Sequence, residues 1–397
     1  MAGKPFSVLY DYTDVPTLRN FALSNKRVRM AMGPFGPLSG DTEYLSNSGW
    51  KRISAYSGGD NIAQFSPKTG EIVLLAPDDF IVSPCDEFLH FTGLGIDMML
   101  SLEHRMLWLD DGEFGTTLAG ESALDHWEEP IEGEIPNTFA IADKDGLKWS
   151  DDELRLQVAV IAEGSFHKHM KKEGETYNTN GCCAGFKKER KKQRFERLLT
   201  VNNCEFKKTE YDNGRTYYYF DAPVKIKKFD ERFWQANNHQ IKIILDELRH
   251  WDFHYSNGTT FQYSTTEKES ADFIQYCFAT QGIAVNINER NRNDGIRKTL
   301  YRLNVNPVNR KNVLYRSPDA VSLVKYGDGF KYCFKTETGF FVARRNGKIF
   351  ITGNSGKSSA CVMEIIRRAH EQKASPDGIR RSRWAVVRNS YGQLKDT

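Results

Sequence analysis

Residues 330–354 read FKYCFKTETGFFVARRNGKIFITGN, and the chain continues at once into Ser355-Gly356-Lys357-Ser358-Ser359. That continuation is the back half of a phosphate-binding loop, G-x-x-x-x-G-K-[ST], in which backbone N–H groups wrap phosphates, the lysine reaches the outer phosphates and the hydroxyl holds Mg²⁺. The following ACVMEIIRRAHEQ is patterned as an amphipathic helix, yet no front half precedes the motif. A matching front half stands far upstream, at residues 27–36, where RVRMAMGPFG is a strand-like run entering a Gly-Pro-Phe-Gly turn. Joining Gly36 to Ser355 gives Gly33-Pro34-Phe35-Gly36-Ser355-Gly356-Lys357-Ser358, a complete loop with a strand before it and a helix after it. Residues 37–354 therefore read as an insert in an ATP-binding motif.

The composition fits more than one domain, since 397 residues exceed one core at the usual size of about 100–200 residues. No apolar run approaches the roughly 18 residues that span a bilayer, and MAGKPFSVLYDYTD lacks the plan of a signal peptide. The seven cysteines show no metal-ligand spacing, and their odd, scattered placement reads as reduced thiols in a cytoplasmic compartment. Net charge is only +3, but basic residues crowd residues 168–228, including KKERKKQR at 187–194, a candidate nucleic-acid surface.

The insert opens PLSGDTEYLSNSGWKRI (37–53), closes with residues 330–354, and carries MMLSLEHRMLW at 98–108. These three blocks resemble those of inteins, the self-splicing members of the Hint-fold family. Ser101 and His104 match the family's Thr-x-x-His block, which polarises and protonates the upstream scissile amide. The resemblance makes Asn354 the residue whose side-chain amide attacks its own backbone carbonyl, cleaving the bond to Ser355. The Ser355 hydroxyl accepts the upstream acyl group and passes it to its own amine. Splicing of this kind needs no cofactor, and its substrate is the flanking host chain.

Pro37 departs from the family pattern, since inteins begin with Cys or Ser as the first nucleophile. The resemblance then points to a minority class in which a Cys of the penultimate block attacks the upstream junction directly. Cys333 occupies that place, and Thr352 matches the class's accessory Thr. The class also carries a Trp in the His block; Trp108 is nearest, about two residues beyond its place. The usual His before the terminal Asn is Gly353. Two rivals stay open: a splicing-blocked precursor in which Pro37 replaces a Cys or Ser, and an ATPase fragment with a permanent insertion.

Two segments in the middle, SDDELRLQVAVIAEGSF (150–166) and QIKIILDELRHWDF (240–253), resemble the helices of LAGLIDADG homing endonucleases. That resemblance puts Glu163 and Asp252 at the family's acidic positions, as paired carboxylates holding Mg²⁺ that activates water against a DNA phosphate. Residues 261–287 resemble the portion after the second motif. Lys298 is the candidate for stabilising phosphate charge, and the Tyr- and Lys-rich run through Tyr217 to Tyr219, Lys225, Lys227 and Lys228 suits strands lying on double-stranded DNA.

The flanks, notably RRSRWAVVRNSYGQLKDT at 380–397, resemble the large terminase subunit of tailed phages. The architecture expected is an all-β, horseshoe-like Hint domain interrupted by an α/β LAGLIDADG domain, with short host P-loop ATPase segments. The segments are 1–36 host, 37–140 splicing, 141–308 endonuclease, 309–354 splicing and 355–397 host. The expected protein is a monomer without a membrane partner, and only the spliced host, with Gly33, Gly36, Gly356, Lys357 and Ser358 joined, binds ATP.

Overall fold

A computed structural model describes residues 37–110, 112–128, 133–166, 181–257, 260–291, 298–306, 313–314 and 320–353, with Lys373 and Pro376. The junction residues Gly36, Asn354 and Ser355, and the loop residues Gly33, Gly356, Lys357 and Ser358, lie outside the described residues. The chain divides into two compact units, one of Met1–Phe35 with Ser355–Thr397, the other of Gly36–Asn354. The unit Gly36–Asn354 is mostly β, and among the described residues no helix is long and apolar enough to cross a membrane.

Two curled sheets hold the ends of this unit. The six-stranded sheet sets Leu38–Ser39 between Asp97–Leu100 and Phe330–Lys335, with Glu87–Thr92, Val321–Lys325 and Asp79–Pro84 outside them. In the eleven-stranded sheet Lys348–Gly353 runs between Phe340–Arg345 and Arg105–Asp110. One stretch of chain thus leaves the strand beside the upstream end and enters the strand beside the downstream end. Residues Ser101 to His104 are the turn between those two strands.

The strands Phe340–Arg345 and Lys348–Gly353 form a hairpin around Asn346-Gly347, whose φ values of 46° and 72° are the left-handed pair that a tight hairpin requires. All six residues of Phe340–Arg345 are buried, so both faces of this central strand are covered. One face joins the core of Leu38, Tyr44, Cys333, Phe334 and Phe350; the other joins Phe340, Val342, Ile349 and Ile351 to the helices of the middle region.

That middle region is an α-β-β-α-β-β unit written twice. Helix Asp151–Glu163 leads into strands Gly164–Phe166 and Gly181–Phe186, helix Glu189–Val201 and strands Phe206–Glu210 and Thr216–Asp221. Helix Asn238–Trp251, strands His254–Asn257 and Thr260–Thr265, helix Lys268–Thr280 and strands Ile287–Arg290 and Leu300–Val305 repeat it. Both four-stranded sheets have the same strand order. The two leading helices start from capping boxes, Ser150 with Glu153 and Asn237 with Gln240, and pack against each other. Buried Glu247 locks them, pairing with Arg155 at 3.2 Å and with Arg194, and accepting from Trp251 Nε1 at 2.9 Å. At Gly164 any Cβ would meet Val160 O at 2.7 Å and Cys182 Sγ at 2.8 Å, so only glycine fits the exit of the first helix.

Candidate functional site

The upstream end is held by register. Leu38 pairs with Tyr332 and Ser39 with Lys331, and one further step of the same antiparallel register brings Pro37 level with Cys333. From the other side the Ser101 N–H donates to the Pro37 carbonyl at 3.0 Å. The Ser101 hydroxyl is buried and has no hydrogen-bond partner among the described residues. An orphaned hydroxyl beside Pro37 is a donor held ready for a group not otherwise satisfied.

His104 is completely buried, and its Nε2 is hydrogen-bonded to Thr352 Oγ1. The two meet because Thr352 pairs with Met106 across the strands Lys348–Gly353 and Arg105–Asp110. The His104 N–H closes the turn on Ser101 O at 2.9 Å. Strand alternation places His104, Met106 and Trp108 on one face. Trp108 spends its indole N–H on Thr117 Oγ1 at 2.7 Å, and Thr117 shares a hydrogen bond with Ser122 at 2.6 Å. Met106, not Trp108, stands opposite Thr352, because Trp108 is one strand period too far along.

Cys333 is fully buried, and burial pushes its thiol up to about 12. Its S–H points to the Phe334 carbonyl at 3.4 Å. Motif matching misses one partner pair: Lys331, on the Cys333 strand, forms an ion pair with Glu103, inside the Ser101–His104 turn. Both are at least three-quarters buried, and they tie the turn to that strand. The lysine two residues before the cysteine is visible as the first residue of KYCF, but nothing in the sequence names its acid.

The second cluster lies where the two leading helices end. Glu163 closes the first helix and Asp252 caps the second. Burial and then the negative charge of Glu163 raise the Asp252 carboxyl to about 6, while Lys191 and Lys227 oppose the rise. Glu163 is thus close enough for its charge to disfavour ionisation of Asp252. Lys191 pairs with Glu163 and donates to Trp251 O at 2.9 Å; Lys227 donates to Ile161 O at 2.6 Å, capping the first helix. Lys298 is not brought to the pair: it is exposed and bonds Glu267 at 2.8 Å. Glu267 and Asp252 line one cleft of about 790 Å³, together with Lys225, Lys227 and Lys228.

The basic run 187–194 is only partly a surface. It begins helix Glu189–Val201, and Lys191 and Arg194 turn inward to Glu163 and Glu247, because buried carboxylates need those charges. In strand Thr216–Asp221, Tyr218 is buried against Glu196, while Tyr217 and Tyr219 alternate onto the accessible face.

No family model and no curated protein matches the sequence. Among solved structures, the chain is weakly and partially similar to a GSH-linked, splice-inactive variant of the AceL NrdHF class 3 split intein, at 29% identity and a TM-score of 0.21. That match covers 21% of this chain and 56% of the other, so the chain spans little more than half of that protein's length. The homing endonuclease I-DmoI in complex with DNA and Ca is matched at 12% identity over 40% of this chain and 83% of that one, with a TM-score of 0.31. Full-length DUF199/WhiA from Thermatoga maritima is matched at 11% identity, over 41% of this chain and 54% of that one, with a TM-score of 0.29.

Proposed function

We propose that residues 37–354 splice themselves out, joining Gly36 to Ser355 and restoring the phosphate-binding loop of a terminase ATPase. The observation that carries this reading is the pairing of Leu38 with Tyr332 and Ser39 with Lys331, whose continuation by one residue sets Pro37 level with Cys333, together with the Ser101 N–H on the Pro37 carbonyl. Cys333 sulfur bonds to the Gly36 carbonyl carbon, the bond to Pro37 nitrogen breaks, and that nitrogen takes a proton delivered through His104. The Ser355 hydroxyl next attacks the thioester, restoring the Cys333 thiol. Asn354 then cyclises to a succinimide, releasing Ser355 nitrogen, which takes the acyl group from its own oxygen. Thr352, two residues before Asn354 in the sequence, fixes the His104 ring by its hydrogen bond.

The middle region is proposed as a site-specific endonuclease acting on double-stranded DNA. Two partly buried carboxylates at adjoining helix C-termini, one of them driven toward protonation, suit a hard divalent cation. Glu163 and Asp252 would hold Mg²⁺, which supplies a polarised water for attack on phosphorus. Lys191 and Lys227 balance the acids' charge, and Tyr217, Tyr219 and the cleft lysines face the substrate.

Mass spectrometry of the expressed chain tests the splicing reading. A released piece of residues 37–354 and a joined host piece are expected, and Cys333→Ala and Asn354→Ala each abolish the joined piece. An intact chain that binds ATP would sink the proposal.

A further inference from the structure

The hairpin that carries Thr352 toward Asn354 is clamped at its tip by the middle region. The Gly347 carbonyl accepts from Gln275 Nε2 at 2.6 Å and from the Ile287 N–H at 3.0 Å. A Cβ at Gly347 would lie 2.4 Å from Ile287 O, so the tip fits against that strand without room for a side chain. Beside the tip stand two consecutive buried arginines, which strand alternation sends to opposite faces. Arg345 turns to Asp41, at 2.9 Å, and to Asp97, both in the region that holds the upstream end. Arg344 turns to Glu43 at 2.7 Å, and to Asp272 at 2.6 Å and Gln275 Oε1 at 3.0 Å on helix Lys268–Thr280. The Arg344 guanidinium also lies 4.4 Å over the Trp50 ring. Apolar packing agrees: Phe340, Val342, Ile349 and Ile351 share one core with Phe273, Ile274 and Phe278.

We propose that helix Lys268–Thr280 and strand Ile287–Arg290 form the scaffold that positions the downstream splicing strand. Asp272 and Gln275 are then positioning residues for splicing, in addition to any part their region plays with DNA. The nuclease region is not a removable passenger. Without it Arg344 keeps a single carboxylate, the tip carbonyl of Gly347 loses both donors, and one face of a central strand is bared to water. Removing one member of a buried ion cluster is costly because the remaining charge stays buried without its partner.

The proposal rests on the splicing reading for its functional consequence, and the test separates the two. Hydrogen exchange is measured on the full chain carrying Cys333→Ala and Asn354→Ala, so that no junction breaks. Adding Asp272→Ala is expected to speed amide exchange across residues 348–353 by about a hundredfold. The neutral pair Arg344→Met with Asp272→Leu restores protection to within about threefold, since the buried guanidinium leaves together with the Asp272 carboxylate and Glu43 keeps Lys268 at 3.4 Å. Gln275→Met, which leaves every charge in place, loosens the tip at residues 344–349 and guards against a misfolded Asp272→Ala chain. Glu269→Ala, on the exposed side of the same helix, leaves protection unchanged. In the splicing-competent chain Asp272→Ala slows product formation by about tenfold, and the neutral pair recovers it. Unchanged exchange at 348–353 in both Asp272→Ala and Gln275→Met overturns the clamp, whether or not the chain splices. A parent chain that yields no joined host piece overturns the splicing reading, while the exchange result still decides the clamp.

Discussion

On the proposed splicing reaction, a thiol that attacks while buried and protonated gives the first step a distinctive pH dependence. With the Cys333 thiol pushed up to about 12, its thiolate fraction at pH 8 is about one part in 10⁴. An ordinary cysteine would be about one quarter ionised at the same pH, so burial costs the first step roughly three orders of magnitude in nucleophile. The observed rate is then proportional to hydroxide across the whole working range. Raising pH from about 6.5 to about 8.5 should increase the first-step rate about a hundredfold, with unit slope and no plateau. The assay uses the Asn354→Ala, Ser355→Ala chain, in which only thioester formation proceeds. Hydroxylamine releases host residues 1–36 from the thioester, and mass spectrometry follows their appearance. Between about pH 9 and 12 the unfolded chain loses a thiol proton that the native chain keeps, so stability falls as pH rises there. The measurement therefore stays below pH 9. A plateau above about pH 7 would refute the reasoning, since it would mean that a general base such as His104 removes the proton in the attack itself.

Three further outcomes are expected from the same geometry. Asp252→Asn removes a carboxyl whose raised pKa disfavours the folded state above about pH 6, so the metal-free protein should gain up to about 3 kcal/mol at pH 7 while losing DNA cleavage; unchanged thermal unfolding would contradict the buried acid pair. Gly164→Ala, which drives a methyl to within 2.7 Å of Val160 O and 2.8 Å of Cys182 Sγ, should cost about 1–3 kcal/mol in denaturant unfolding. His104→Ala should slow splicing by about 10²–10⁴ with DNA binding untouched, and a loss below about threefold would remove His104 from the reaction.

Short blocks made the candidate splicing residues legible, because each lies in a local pattern: Ser101 with His104, Cys333 in KYCF, Thr352 before Gly353-Asn354. The doubled α-β-β-α-β-β unit was legible at its two leading helices, whose apolar spacing and terminal acids can be read locally, and at the Tyr-rich strand Thr216–Asp221. Shorter strands such as Gly164–Phe166 were hidden by their length. Charge misled most. A basic run such as 187–194 reads as a nucleic-acid surface, yet Lys191 and Arg194 are recruited inward by acids 28 and 53 residues away in the chain.

The doubled arginine shows where local reading stops. In FFVARRNGK the Asn-Gly step announces a hairpin, and an alternating strand cannot send both arginines to the same face. If the strand is central, both faces are covered, so each arginine must bury its charge and each must find carboxylates. That much is deducible from nine residues. Which acids answer is not, because Asp97 is 248 residues away and Asp272 is 72 away, brought near only by the completed fold. The same pairings make the hairpin sensitive to both ends of the insert and to the region between them. A strand anchored by Arg345 to Asp41 and by Arg344 to Asp272 cannot take up its place until the upstream end and the middle region have both folded. Thr352, in the fifth pair from the tip of that hairpin, is held beside His104 by the same strand, so its place depends on both anchors.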